Sequence, residues 1–145
     1  MDYTVCSKVL EIACTQPKYA YDLLWKFIME NPHKVVINQE ILEEYSKYTH
    51  NGTIHEWIRG MDYKKFWKTV EIDQTNNIFI NTCQKTHDKN FIVSEKEDYK
   101  KEDFIGIKVL NKDEAITELK PKSIIINQIG NNNQASTGNN SPNLK

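Results

Sequence analysis

Arginine is almost missing: Arg59 is the only one in 145 residues, so lysine supplies nearly all the positive charge. The planar fork that reads guanine belongs to arginine, and its scarcity argues against recognition of base edges. Cysteine is equally thin. Cys6, Cys14 and Cys83 are odd in number, widely spaced and contain no C-x-x-C pair. That excludes a disulfide framework and predicts reduced, buried thiols. His33, His50, His55 and His87 are scattered, with neither H-E-x-x-H nor a Cys/His zinc spacing. Neither G-x-x-x-x-G-K nor G-x-G-x-x-G occurs, so a nucleotide-cradling loop has no support. Long apolar runs are lacking too. Asp2, Lys8 and Glu11 interrupt the opening MDYTVCSKVLEIAC before any signal-peptide core could form, which predicts a cytoplasmic protein with no membrane partner.

What is present matches an ordinary globular chain: 39% hydrophobic residues, 27% charged residues and a net charge of −1. The length suits one core, and a near-neutral charge leaves any nucleic-acid contact to a local patch. Domain organisation follows composition. Residues 1–122 carry the periodic apolar pattern of an α/β domain. Residues 123–145 form an Asn/Gly/Ser-rich tail that opens with a candidate strand at Ser123–Asn127, and from Gln128 the tail is too poor in large apolar side chains to offset its ordering entropy. Within it Gly130-Asn131-Asn132-Asn133 returns as Gly138-Asn139-Asn140-Ser141. Two roles stay open for the tail: a segment that orders on a partner, by strand addition for example, or a device for homo-oligomer assembly.

Along the chain, Tyr3–Cys6 reads as a short strand. Thr15 and Pro17 supply a cap and first turn for a helix through YAYDLLWKFIMEN. Val35, Val36 and Ile37 form a β-branched run suited to a buried parallel strand, and Asn38 can cap the helix QEILEEYSKY that Asn51-Gly52 ends. A helical stretch spans Ile54 to about Trp67, with Gly60 a point where it could divide in two. Val70–Asp73 is a strand or a connector, and Asn76 can cap IFINTCQKTH. Residues 91–94 and the alternation Ile105, Ile107, Val109 read as strands, and Asn111 with Glu114 has capping-box spacing. Strands alternating with helices predict an α/β fold, a mainly parallel central sheet flanked by helices on both faces in three layers. Ligands then bind beyond the strands' carboxyl ends, which selects Cys6 and Ser7, residues 38–44 and residues 94–98.

Two stretches, YDLLWKFIMENPHKVVINQEILEEYSKY and KNFIVSEKEDYKKEDFIGIKVLNKDEAI, resemble the bacterial PIN-like nuclease family. With TVCSKVL the resemblance covers residues 3–119. It implies metal-assisted cleavage of RNA by converging carboxylates, with Glu44, just before Tyr45, as one metal-binding and catalytic glutamate. It also implies an acidic loop in which Ser94 matches and Asp98 supplies a second metal-binding, catalytic acid, with Glu95 as a substitute. Three family acids are replaced. Cys6 stands where the first strand ends in aspartate, Asn76 (or Asp73, if the alignment slips) where another opens a helix, and Lys96 where the loop has its first aspartate. A hard cation prefers oxygen, and an ammonium competes for its place.

The resemblance therefore implies a catalytically impaired domain without a cofactor, a binding or regulatory module for RNA or a protein partner. The alternative is an active Mg- or Mn-dependent ribonuclease, a toxin or defence effector, using Glu44, Asp98 and substitute acids such as Glu95 or Asp73. A separate signal is RGMDYKKFWK, in which Arg59, Lys64, Lys65 and Lys68 are interleaved with aromatics including Trp67. Such a run binds single-stranded nucleic acid or is a helix with aromatics inward and lysines outward, and the sequence leaves both open.

Overall fold

The structure, a computed structural model, describes residues 2–31, 34–95 and 104–119. Five strands form the sheet: β1 (Asp2–Val5), β2 (Lys34–Ile37), β3 (Trp67–Thr69), β4 (Asn90–Ile92) and β5 (Lys108–Leu110). All neighbours pair in parallel, in the order β3-β2-β1-β4-β5. The connecting helices are α1 (Ser7–Thr15), α2 (Pro17–Ala20), a π-helix (Tyr21–Ile28), α3 (Gln39–Ser46), α4 (Gly52–Tyr63), α5 (Ile78–Gln84) and α6 (Lys112–Glu118). This is the expected three-layer parallel α/β architecture. The steps β1→β2→β3 run one way and the return to β4 runs the other, so right-handed crossovers put their helices on opposite faces.

The strands are short and apolar because a central parallel sheet is covered twice. Val35, Val36 and Ile37 are buried in succession, which only a strand covered on both faces requires. Asn38 caps α3, its Oδ1 accepting the Ile41 N–H at 2.9 Å. The capping box of α6 is complete: Glu114 N–H donates to Asn111 Oδ1 at 2.9 Å, and Asn111 N–H to Glu114 Oε1 at 3.0 Å.

Several boundaries differ from the sequence reading. Ser7–Thr15 is already helical, and Thr15 caps nothing; its hydroxyl donates to Ile12 O at 3.2 Å. The helix that follows winds as a π-helix over Tyr21–Ile28, closed by Met29 N–H donating five residues back to Leu24 O at 3.1 Å. Asn51 opens α4 rather than ending α3, accepting the Thr53 and Ile54 N–H groups. Gly60 does not divide α4, because a side chain there would meet Met29 Cε at 2.9 Å, and the bare glycine lets Met29 pack against the helix. The helix nevertheless stops at Tyr63, and Trp67 begins an edge strand, leaving Val70–Asp73 as a connector. Asn77, not Asn76, occupies the N-cap of α5, in left-handed conformation (φ 53°) and without a side-chain cap. The last strand is limited to Lys108–Leu110, since Ile105 lies 75% exposed in a turn. Residues 123–127 and the tail lie outside the described residues. Among the described residues, no helix is long and apolar enough to cross a membrane.

One aromatic cluster holds the carboxyl half together. Tyr45 is fully buried among Trp57, Trp67 and Phe79, with ring centroids 6.3–6.4 Å away, and Trp57 meets Trp67 edge-on at 5.6 Å. Trp57 Nε1 donates to Leu24 O at 2.9 Å, tying α4 to the π-helix.

Candidate functional site

The strand order reverses at β1, whose neighbours β2 and β4 belong to opposite directions of travel. In a sheet of this kind the crevice opens outside the carboxyl ends at that switch point, here beyond Val5 and Ile92. Cys6 sits at its base. Its N–H donates to Ile92 O at 2.9 Å and its carbonyl accepts the Val9 N–H at 3.0 Å, so the backbone is fixed between β4 and the first turn of α1. The residue is 1% exposed and occupies the N-cap of α1, where its side chain makes no capping bond.

Three tyrosines lie within electrostatic reach of this thiol. The Tyr45 hydroxyl donates to Val5 O at 2.5 Å, the last carbonyl of β1. Burial first, and then the charge Cys6 would carry if ionised, hold Tyr45 well above the usual phenol range. Tyr19 is pushed up to about 12 by burial, then by Cys6 and Asp113, and its buried hydroxyl has no hydrogen-bond partner among the described residues. Tyr48 is raised by burial, then by Glu11, Glu44 and Cys6, while Lys47 opposes. Tyr48 thus lies within electrostatic reach of Glu44 and Cys6 together, and the first-strand position and the α3 glutamate share one end of the sheet.

Glu44 follows from the anchoring of Tyr45. With Tyr45 pinned inward, the preceding residue turns to the flank of α3, where the Glu44 side chain is 36% exposed and accepts from Lys47 Nζ at 2.8 Å. It lines a cleft of about 380 Å³ together with Glu40, Glu43, Thr75, Asn77, Ile78 and Phe79. The chain entering α5 therefore shares this cleft with Glu44 and brings one amide, Asn77, and one hydroxyl, Thr75. Asn76 is exposed in the turn, its carbonyl accepting from Asn81 Nδ2 at 2.5 Å. Asp73 does not line the cleft; its side chain is 88% exposed and meets Lys85 Nζ at 3.3 Å. Glu95 is exposed beyond β4. Lys96 and Asp98 lie outside the described residues. Glu40 and Glu43 fall within the stretch 38–44 that the sequence places beyond the strand ends, but are not singled out there; Glu40 is three residues from Glu43 and four from Glu44, a spacing that puts them on one side of α3.

Whether this donor set fits a divalent cation is a question of charge and oxygen supply. Among the described residues no group of three or more His, Cys, Asp or Glu converges as metal ligands. Among the described residues Cys6 offers a buried thiol, the turn before α5 one amide and one hydroxyl, and Glu44 a carboxylate with Lys47 Nζ beside it, leaving Glu40 and Glu43 as the other acids of the cleft, a set poorer in converging oxygen anions than a hard cation ordinarily takes.

The basic run divides differently. Arg59 pairs with Glu56 at 3.4 Å, Lys68 pairs with Asp2 at 2.8 Å, and Trp67 is spent on the aromatic core. Lys64 and Lys65 remain outward at the end of α4. Comparison with known proteins finds no family model, no curated protein and no solved structure that matches this chain.

Proposed function

We propose that this chain is a PIN-like domain whose carboxyl-end crevice has lost the donor set for catalytic metal, and that it serves as a binding or regulatory module for RNA or a protein partner. The observation that carries this reading is Cys6: at the switch point, where a nuclease of this kind needs a carboxylate, the side chain is a thiol only 1% exposed. A buried thiol is mostly neutral at pH ~7 and is a poor ligand for Mg or Mn. At Glu44, Lys47 Nζ stands 2.8 Å from one carboxylate oxygen and competes with any cation for it.

One observation favours a second reading. Glu40, Glu43 and Glu44 line a single cleft, and three carboxylates could recruit Mg or Mn with help from Asp98 and Glu95. That would make the chain an active ribonuclease. The test is incubation of the purified protein with labelled single-stranded RNA and Mn²⁺. The proposed function predicts intact RNA; manganese-stimulated cleavage abolished by Glu44→Gln would establish the active enzyme instead.

A further inference from the structure

At the opposite end of the sheet, the amino ends of β2 and β3 bring together residues distant in sequence. Lys34 opens β2, and its ammonium donates to Lys65 O at 2.7 Å while lying 5.8 Å from the centre of the Phe66 ring. Lys64 Nζ lies 5.9 Å from the same ring. Val35 N–H donates to Phe66 O at 3.1 Å, so the ring is fixed to the sheet. Lys65 holds a left-handed conformation with φ 58°. Such a position after a helix is ordinarily glycine's, and a lysine there is strained. None of Lys34, Lys64 and Lys65 forms an ion pair with a described carboxylate: Asp2, the register partner of Lys34, is taken by Lys68. Beside them Tyr63 ends α4 with 87% of its surface exposed.

We propose that this corner binds single-stranded nucleic acid, with Lys34, Lys64 and Lys65 holding phosphates and Tyr63 stacking on a base. Like charges repel, and the negative face of Phe66 is what keeps two ammoniums together before any ligand arrives. A pre-assembled set of unpaired cations fits successive phosphates of a flexible strand. An exposed flat ring one residue away fits a base and gives an isolated phosphate or a lipid headgroup nothing to do. Arg59 and Lys68, though exposed, each face a carboxylate, Glu56 at 3.4 Å and Asp2 at 2.8 Å, and Trp67 packs against Tyr45, so this corner is assigned without them. Among the described residues β3 is an edge strand, so no further strand of the sheet flanks this corner. The surface lies at the far end of the strands from Glu44 and needs no metal, and it locates on the molecule the RNA arm of the proposed function.

The test is binding of a fluorescent oligouridylate to the full chain in EDTA. Three phosphate contacts predict an affinity loss of about 20-fold between roughly 50 and 200 mM salt. Lys64→Gln and Lys65→Gly should each weaken binding about fivefold at ~0.1 M salt and flatten the salt dependence. Tyr63→Ala should weaken it at least about fivefold. Lys65→Gly carries its own control, because relief of the left-handed lysine should raise the melting temperature while affinity falls. Undetectable binding at low salt overturns the proposal, as does binding indifferent to Lys64→Gln and Lys65→Gly. Lysine-dependent binding to phosphatidylglycerol vesicles that ignores Tyr63→Ala overturns it in favour of a lipid surface. RNA binding lost in Glu44→Gln but kept in the lysine variants would move the interface to the carboxyl end, leaving the proposed function standing and this surface refuted.

Discussion

Tyr45→Phe removes one oxygen and leaves the ring that packs against Trp57, Trp67 and Phe79. The lost bond is the 2.5 Å donation to Val5 O, which ties α3 to the end of β1 and so sets the position of Glu44. Both ends of it are buried, and Val5 and Tyr45 are each 0% exposed. A typical net hydrogen bond contributes about 1 kcal/mol, and a buried acceptor stripped of this donor adds a desolvation cost of similar size. The expected loss is therefore about 1–2 kcal/mol, clearly less than the ~3–5 kcal/mol expected when Tyr45→Ala also removes the ring. Urea unfolding followed by far-UV circular dichroism measures it. With slopes of ~1–3 kcal/mol per M, the phenylalanine variant should unfold at a midpoint lower by roughly 0.5–1 M, with unchanged slope. A midpoint within error of the parent would refute the reasoning, since the hydroxyl would then not anchor α3. An equal loss in the two variants would refute it as well, because the aromatic cluster would then carry no stability of its own.

Asn38→Ala should cost about 1–3 kcal/mol in the same assay, because the amide caps α3 through Oδ1 and donates to the buried Thr82 hydroxyl at 2.6 Å. Asn111→Ala breaks both halves of the α6 capping box, and a loss of about 0.5–2 kcal/mol is expected; no change would mean the helix is held by packing alone. Alkali should destabilise the protein. Burial raises Cys83 from 9.0 to about 12 and Tyr19 from 10.0 to about 12, so the folded chain keeps protons that the unfolded chain releases. The stability these groups support is complete below their unfolded values and declines as pH rises from about 9 toward 12, by up to ~1.4 kcal/mol per pH unit per group. Urea midpoints that stay flat across that window would contradict the burial assigned to both groups.

The parts of this fold that were legible in sequence are those whose cause is local. Val35–Ile37 is a β-branched run that could only be a covered strand, and Asn38 and Asn111 cap the helices that immediately follow them. The illegible parts depend on distant partners. β3 is three residues long and exists because Lys68 pairs with Val36, a neighbour no local pattern announces. The alternation from Ile105 to Val109 looked like a longer strand. Gly106, at φ 75°, turns the chain instead, so pairing begins only at Lys108. Gly60 suggested a break because glycine is a poor helix former, but Met29 uses the missing side chain as packing space. At the candidate site, the stretch 38–44 contains the acids Glu40, Glu43 and Glu44 that line the cleft, whereas Thr75 and Asn77 opposite them and the Lys47 ammonium at Glu44 emerge only from the packed helices.

Titration calorimetry of the purified chain with Mn²⁺ addresses the carboxyl-end crevice most directly. A buried thiol, one amide before α5 and a glutamate with Lys47 beside it predict only weak, non-saturating heats, identical in Glu44→Gln. A saturable, one-to-one uptake of manganese that disappears in Glu44→Gln would contradict the account and favour the active-ribonuclease reading.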